Sequence, residues 1–407
     1  MLTKTNCTIC SSPTREIIDL GSSPLANTFV SGVQQKYEIF PLVLEYCSKC
    51  SCLQLRDCLS EQELYSEYTY ITPKTESINF HYKFLTNYLL DKGFIGPKTN
   101  CLEIGSNNGD FLNFIKPKVK TVVGIDAAEN IVAIANSCNI NTLNGFFSLD
   151  FAKKNKNSLK NLDLIIARHM FAHNPDPKII FSGIDYLLEK EGIVLIENAY
   201  AFDTLQKGEF DQIYHEHMFY YSAKNMNALL DLFSFELKDI LFSELHGGSV
   251  IFICGRKDVF EVSPNVVIQI KKEELLLEND KIFKNFKEGI IKNKLLTLEE
   301  LKKDLRLGKT IGAYGASAKA FTLFSFYNLD NLVIKFCVDT TPTKIGKIFP
   351  KFNIPVISEK DLRNMEYDTL LVTAWNYRED ILTQSKSLFK KGTKLIFPLP
   401  SFSTHIV

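Results

Sequence analysis

Six of the chain's ten cysteines precede residue 60. Four of them fall in two C-x-x-C hooks, Cys7-Thr8-Ile9-Cys10 and Cys47-Ser48-Lys49-Cys50. One hook brings two thiolates to an ion, and two hooks complete a tetrahedral set. Cys7, Cys10, Cys47 and Cys50 are therefore read as ligands of one structural zinc, since four protein ligands leave no open position for water. Cys52 and Cys58 break the spacing and read as bystanders.

A second stretch suited to chemistry runs Cys101-Leu102-Glu103-Ile104-Gly105-Ser106-Asn107-Asn108-Gly109-Asp110-Phe111-Leu112. An apolar strand with an acidic residue near its end enters a glycine turn and then a helix. Gly105 lets the backbone approach a ligand, and Gly109 permits close packing where the helix begins. Asp126 ends the next strand about 20 residues later, where a carboxylate can accept hydrogen bonds from both hydroxyls of a ribose. A dinucleotide oxidoreductase or epimerase is the rival, but its fingerprint is G-x-G-x-x-G and the turn here is G-x-x-x-G. S-adenosylmethionine (SAM) carries no phosphate and suits the looser turn. The stretch thus reads as a SAM-binding half-site, with Glu103, Gly105, Asn107, Gly109 and Asp126 as cofactor-binding candidates. Phe146, in Gly145-Phe146-Phe147, is a candidate for the adenine pocket, with ordinary core packing as the alternative.

Four of the seven histidines lie in two further stretches. Arg168-His169-Met170-Phe171-Ala172-His173 follows a strand at the sheet edge where such folds place ligands. Tyr214-His215-Glu216-His217-Met218-Phe219-Tyr220-Tyr221-Ser222 concentrates proton-transfer groups in nine positions. It lacks the H-E-x-x-H spacing of a zinc hydrolase, so acid–base work is the expected role. Gly312-Ala313-Tyr314-Gly315-Ala316-Ser317-Ala318-Lys319 then offers a second nucleotide-type loop: helix-start N–H groups can hold phosphate and Lys319 adds a point charge. Asp339 ends the following strand, where a ribose or sugar contact is expected.

These residues need elements to hold them. An amphipathic helix is expected from about Thr75 to Lys92. Strands are expected at Phe40–Tyr46, Asn100–Ile104, Thr121–Ile125, Leu162–Ala167 and Gly192–Glu197, most alternating with helix-length segments. Residues 266–308, rich in Lys, Glu and Leu, read as helices on an exposed surface. Strands resume at Thr310–Tyr314, Val333–Val338, Thr369–Thr373 and Lys394–Phe397. The fold class is α/β in three parts: a zinc-binding domain over 1–74, a Rossmann-like SAM-binding domain over 75–264, and over 265–407 a helical linker with a second Rossmann-like domain.

The 407-residue chain is 45% hydrophobic and 23% charged, as a globular protein should be. Lys plus Arg and Asp plus Glu both number 47, so nothing draws the whole molecule to nucleic acid or membrane. A zinc-ribbon RNA-interaction protein would need a basic stripe with exposed aromatics, and none is found. The start MLTKTNCTIC lacks the apolar core of a signal peptide, and no apolar run reaches the roughly 20 residues that span a bilayer. A cytoplasmic monomer with reduced cysteines is expected.

Taken together, the two hooks, LEIGSNNGDFL, RHMFAHNPD, FDQIYHEHMFYYS, ELHGGSV, YGASAKAFTL, CVDTTPTKIGKIFP and LLVTAWNY resemble, in order and over nearly the whole length, the sugar C-methyltransferases that act on nucleotide-linked 4-keto-deoxysugars. The resemblance implies a C-terminal domain that holds the sugar's nucleotide, with Gly312, Gly315, Lys319, Asp339 and Lys344 as substrate-binding candidates. It implies that His217 removes the proton beside the C4 ketone, C3 being the expected carbon, and that the enolate then attacks the methyl group of SAM. Tyr214, Glu216 and His173 match polar positions around the sugar, as does a tyrosine of YSEYTY, Tyr68 or Tyr70. A methyltransferase of this fold acting on another acceptor is the alternative. The chain departs from the family at His169, often asparagine there, and at Asn108, usually aspartate.

Overall fold

The computed structural model describes residues 1–32, 34–60, 63–64, 71–72, 75–244 and 247–407. Tyr68 and Tyr70, the tyrosine candidates, lie outside them. Among the described residues no helix is long and apolar enough to cross a membrane.

Three main sheets organise the chain. The N-terminal one is antiparallel, in the order Phe219–Tyr220, Leu53–Leu55, Phe40–Tyr46, Arg15–Ser23. Its first strand comes from the histidine-bearing stretch far along the chain, a pairing that no local pattern signals. A two-stranded piece, Leu2–Thr3 with Asp57–Cys58, closes the end.

The middle sheet has seven strands in the order Phe235–Ser243, Ser249–Arg256, Leu188–Ala199, Leu162–Arg168, Asn100–Ile104, Thr121–Asp126, Thr142–Asn144. The last five are mutually parallel, Ser249–Arg256 runs against them, and Phe235–Ser243, antiparallel to Ser249–Arg256, runs with them. The four expected strands stand where the pattern put them. Three were not read: Thr142–Asn144 is too short, and the hairpin 235–256 has a register shift at Leu237/Asp239 that breaks its alternation. The helix Glu76–Asp91 starts on a Thr75 cap, whose hydroxyl accepts from Ile78 N–H at 3.3 Å. It lays Ile78, Tyr82, Leu85 and Leu89 against Phe111, Leu112 and Ile115, and so covers one face of the sheet.

The C-terminal sheet also has seven strands: Ile348–Phe349, Ile354–Ile357, Cys337–Val338, Ile311–Tyr314, Thr369–Val372, Lys394–Phe397, Ser403–Ile406. Its five central strands are parallel, as a doubly wound unit requires. The expected strand Val333–Val338 shrinks to Cys337–Val338, because a turn on Asp330 captures the N–H groups of Leu332, Val333 and Ile334.

The expected exposed helices at 266–308 are instead two brackets, Pro264–Leu277 and Lys281–Arg306, bent where Asn279 and Asp280 adopt φ of 57° and 56°. The second buries Ile282, Phe283, Phe286, Ile290 and Leu301. Asp304 on it, fully buried, accepts from Lys394 Nζ and Thr369 Oγ1, both at 2.7 Å, and so clamps the C-terminal sheet. Glu273 on the first accepts from Ala223 N–H at 2.8 Å, Lys224 N–H at 3.0 Å and Tyr200 Oη at 2.9 Å, gripping the middle unit. One buried apolar cluster runs through all three sheets.

Candidate active site

Each cysteine hook turns back on itself the same way. Ser11 and Ser51, at φ 58° and 60°, donate their N–H groups to Cys7 O (2.8 Å) and Cys47 O (2.9 Å). The reverse bonds, Cys7 N–H to Ser12 O and Cys47 N–H to Cys52 O, close two matching knuckles. The knuckles face each other: Cys7 Sγ lies 3.4 Å from Cys50 Sγ, Cys10 Sγ lies 3.5 Å from Cys47 Sγ, and all four sulfurs fall within 4.8 Å. Tetrahedral zinc with Zn–S of about 2.3 Å places sulfurs roughly 3.8 Å apart, so the set fits that ion. Cys52 closes a knuckle through its backbone and sets its thiol beside those of Cys50 and Cys7, and Cys58 Sγ turns to Leu55 O at 3.7 Å.

A cleft, the candidate cofactor site, opens at the carboxyl edge of the middle sheet, over the turn 105–109. Asp126 is the hinge of that turn. Its two oxygens accept from Asn107 N–H at 2.9 Å and from Ala128 N–H at 3.0 Å, while burial raises its carboxyl above the usual range. Gly105 sits at φ 69°, and a Cβ there would meet the Met170 side chain at 2.7 Å; Gly109, at φ 76°, packs on Ile140. Asn107 Oδ1 accepts from Thr72 N–H at 3.0 Å, which holds Thr72 against the turn. Gly105, Asn107, Asp126, Phe146 and His173 all line the cleft. Glu103 does not. It is fully buried beneath, and Arg168 Nε donates to it at 2.8 Å, so the residue facing the cleft is Arg168, its guanidinium 4.2 Å from the Phe111 ring centroid. Strand-end acidity was legible, but the cation that neutralises it across the sheet was not.

Beside the cleft lies the histidine stretch. Met218 N–H donates to Ala172 O at 3.0 Å, and Leu55 N–H to Met218 O at 2.9 Å, so the stretch is tied at once to the cleft wall and to the zinc domain. These bonds bring the His173 and His217 rings to a centroid distance of 5.2 Å. His217 Nδ1 meets Gln212 O at 3.0 Å; a carbonyl only accepts, so Nδ1 carries the proton and Nε2 the lone pair. Tyr214 Oη donates to Nε2 at 2.8 Å. Burial first, then His173, holds the His217 imidazole well below its usual range, and burial with His169 lowers His173 to about 4. Burial pushes Glu216 up to about 7. His215 points elsewhere: its Nε2 sits 3.3 Å from both Phe40 O and Pro41 O, pinning the stretch to the zinc domain.

In the C-terminal unit Asp339 repeats the Asp126 arrangement, accepting from Ala316 N–H and Thr341 N–H, each at 2.8 Å. Lys344 Nζ donates to Ala316 O at 2.8 Å, on the same loop. Gly315 stands at φ 105° against Ala374, whereas Gly312 makes room for Phe336. Lys319 leaves its own loop and lies 4.5 Å from the Trp375 ring centroid, facing the 209–212 turn of the middle unit. Trp375 Nε1 donates to Asp211 Oδ2 at 2.6 Å, and burial, opposed by Lys319, brings Asp211 to about 6. Sequence reading missed Asp211 and Trp375, because FDQ and AWN become neighbours only when the two units pack.

Three family models tile the chain: a proposed zinc binding domain over residues 7–65, a methyltransferase domain over 81–239, and a C-methyltransferase C-terminal domain over 244–400. The chain is 28% identical over 389 residues to C-methyltransferase NovU of Streptomyces niveus, covering 95% of this chain and 93% of that protein. Among solved structures, magnesium protoporphyrin IX methyltransferase of Synechocystis with bound SAM is 13% identical, with a TM-score of 0.35, over 46% of this chain and 88% of that one. A likeness that distant bears no argument of its own. The domain models and the full-length relative decide between the two cofactor readings: the nicotinamide oxidoreductase is set aside.

Proposed function

Since the chain is a SAM-dependent C-methyltransferase with an amino-terminal zinc-binding domain, we propose that its acceptor is a nucleotide-linked 4-keto-deoxysugar, methylated at C3 beside the ketone. The observation that supports this most is the trio Gln212 O, His217, Tyr214 at the edge of the cofactor cleft. Carbon methylation next to a ketone needs a base for a weakly acidic C–H and a donor for the oxygen that gains charge, and the trio supplies both.

In this reading Gln212 O fixes the tautomer, so His217 presents Nε2 to the α proton. Burial keeps the imidazole neutral at physiological pH and ready to accept. Tyr214 guards Nε2 in the resting site and turns to the enolate oxygen once substrate has displaced it. His173 and Glu216 border the sugar. SAM, when bound, supplies an electrophilic methyl group, which the enolate carbon takes. Asp126 holds its ribose and Phe146 its adenine from the cleft wall. Gly315, Asp339 and Lys344 form the proposed nucleotide loop of the C-terminal unit, with Lys319 reaching from it toward the sugar end. The proposal also includes a division into units at 1–74, 75–264 and 265–407, a monomeric state and a cytoplasmic location.

The test is direct. Purified enzyme is incubated with 13C-methyl SAM and a dTDP-linked 4-keto-6-deoxysugar, and the product is read by carbon NMR. A labelled methyl bonded to the carbon beside the ketone is the expected result. A methyl bonded to oxygen, or no transfer to any keto sugar, would overturn the acceptor assignment.

A further inference from the structure

Glu197 lies near the end of the strand Leu188–Ala199 and is fully buried. Its near partners are imidazoles: His81 Nε2 lies 2.8 Å from Oε1 and His169 Nε2 lies 3.6 Å from it. The Arg168–Glu103 pair runs alongside. Burial alone would raise this carboxyl, but His169 and His81 hold it far below the usual range, as an anion. A buried carboxylate set between two imidazoles is poor for stability, since an apolar filling serves as well, and well suited to passing protons.

The row extends both ways. The His169 backbone N–H donates to the Glu197 backbone carbonyl at 2.7 Å, holding the two residues side by side, and His169 lines the cleft with His173, four residues on, whose ring packs 5.2 Å from that of His217. On the other side His81 Nδ1 meets Ser243 Oγ at 3.1 Å. Ser243 lines a second cleft with His81, Phe84, Phe242, Glu244 and Tyr377, a cleft that shares only Ile78 with the first.

We propose that His173, His169, Glu197 and His81 carry the proton taken by His217 out to solvent at the Ser243 cleft. This inference rests on the base assignment above. The balance is one proton per turnover. The C–H bond beside the ketone breaks, its pair stays on carbon and then forms the bond to the methyl, the sulfonium becomes a thioether, and the proton on His217 Nε2 must leave before the next cycle. The row gives it a path that does not wait for the sugar to depart. Arg168 and Glu103 flank the middle of the path, Lys319 faces its inner end, and Glu244 stands at its mouth.

Two variants outside the cofactor cleft test this in the full-length protein, His81→Asn and Glu197→Gln. Two rates are compared: a single turnover of methyl transfer, and wash-in of deuterium beside the ketone in heavy water with S-adenosylhomocysteine bound. Wash-in needs the abstracted proton to leave and a deuteron to return, whereas one turnover needs only a neutral base. The relay predicts that both variants keep the single-turnover rate, lose at least about tenfold in wash-in, and regain part of it with added imidazole. Wash-in at the wild-type rate in both variants would overturn the relay. So would an equal fall in both rates, which would mark His81 and Glu197 as supports of the cleft. Methylation by the wild type in the same experiment reports on the acceptor assignment separately.

Discussion

At the scale of single residues, two carboxylates and one imidazole carry the account. Asp126 holds the glycine turn by two backbone bonds while facing the cleft, so its loss acts on the ligand and on the turn together. Asp126→Ala should weaken SAM binding by roughly 1.5–3 kcal/mol, the range for hydrogen bonds to a charged group; unchanged affinity in a titration calorimeter would remove the ribose contact. Glu216 is raised to about 7 by burial, so it loses its proton as pH climbs through neutrality. If it accepts a sugar hydroxyl as a carboxylate, kcat/KM should rise through about pH 7, and Glu216→Gln should lack that inflection in a pH–rate profile. The residues proposed to carry the chemistry were singled out by sequence signals, Asp126 by its place at a strand end and His217 by its clustered neighbours. Arg168 over the cleft, the Glu197 partners and the Asp211–Trp375 bond were not, because each pairs residues that are distant in sequence and carry no spacing signal.

Elements decide where those residues stand. The stretch 213–221 gives Phe219–Tyr220 to the zinc domain's sheet and its His215 side chain to the carbonyls of Phe40 and Pro41. Zinc therefore bears on the active site through a shared sheet. Removing it with a chelator, or replacing Cys47 by Ser, should unfold the first domain and also cost methyl transfer, because structural zinc energy is folding energy; full activity in metal-free protein of confirmed composition would refute that link. His215 adds a pH signature. Burial lowers it to about 4 in the folded chain against about 6.5 when unfolded, so between those values the unfolded chain binds the extra proton. Stability should thus fall as pH drops through that window, by up to about 3 kcal/mol. His215→Gln should flatten that part of the acid limb in thermal melts. The parallel strands were readable as apolar runs, and the cap at Thr75 as a helix start. The hairpin 235–256 was hidden by its bulge, and the bracket helices looked exposed because Lys and Glu crowd the outer face of a helix whose inner face holds Phe283, Phe286 and Ile290.

For the whole molecule, hooks, glycine turn, histidine stretch and second glycine turn come in that order along the chain, and three main sheets form, the first completed by Phe219–Tyr220 of the histidine stretch. What no linear pattern could give is their convergence. His217 hangs on a loop held by the zinc sheet, packs on His173 from the SAM unit, and feels Lys319 from the C-terminal unit. The central claim is that this convergence builds one base, and proton removal can be separated from methyl transfer to test it. Enzyme, the nucleotide-linked keto sugar and S-adenosylhomocysteine are mixed in heavy water, and deuterium entry at the carbon beside the ketone is followed by NMR. Wild type should exchange without methylating, and His217→Asn should lose exchange and turnover together, on the order of 10²–10⁴-fold, while binding SAM as before. Exchange by His217→Asn at the wild-type rate would contradict the account, and His173 would be the next residue to replace.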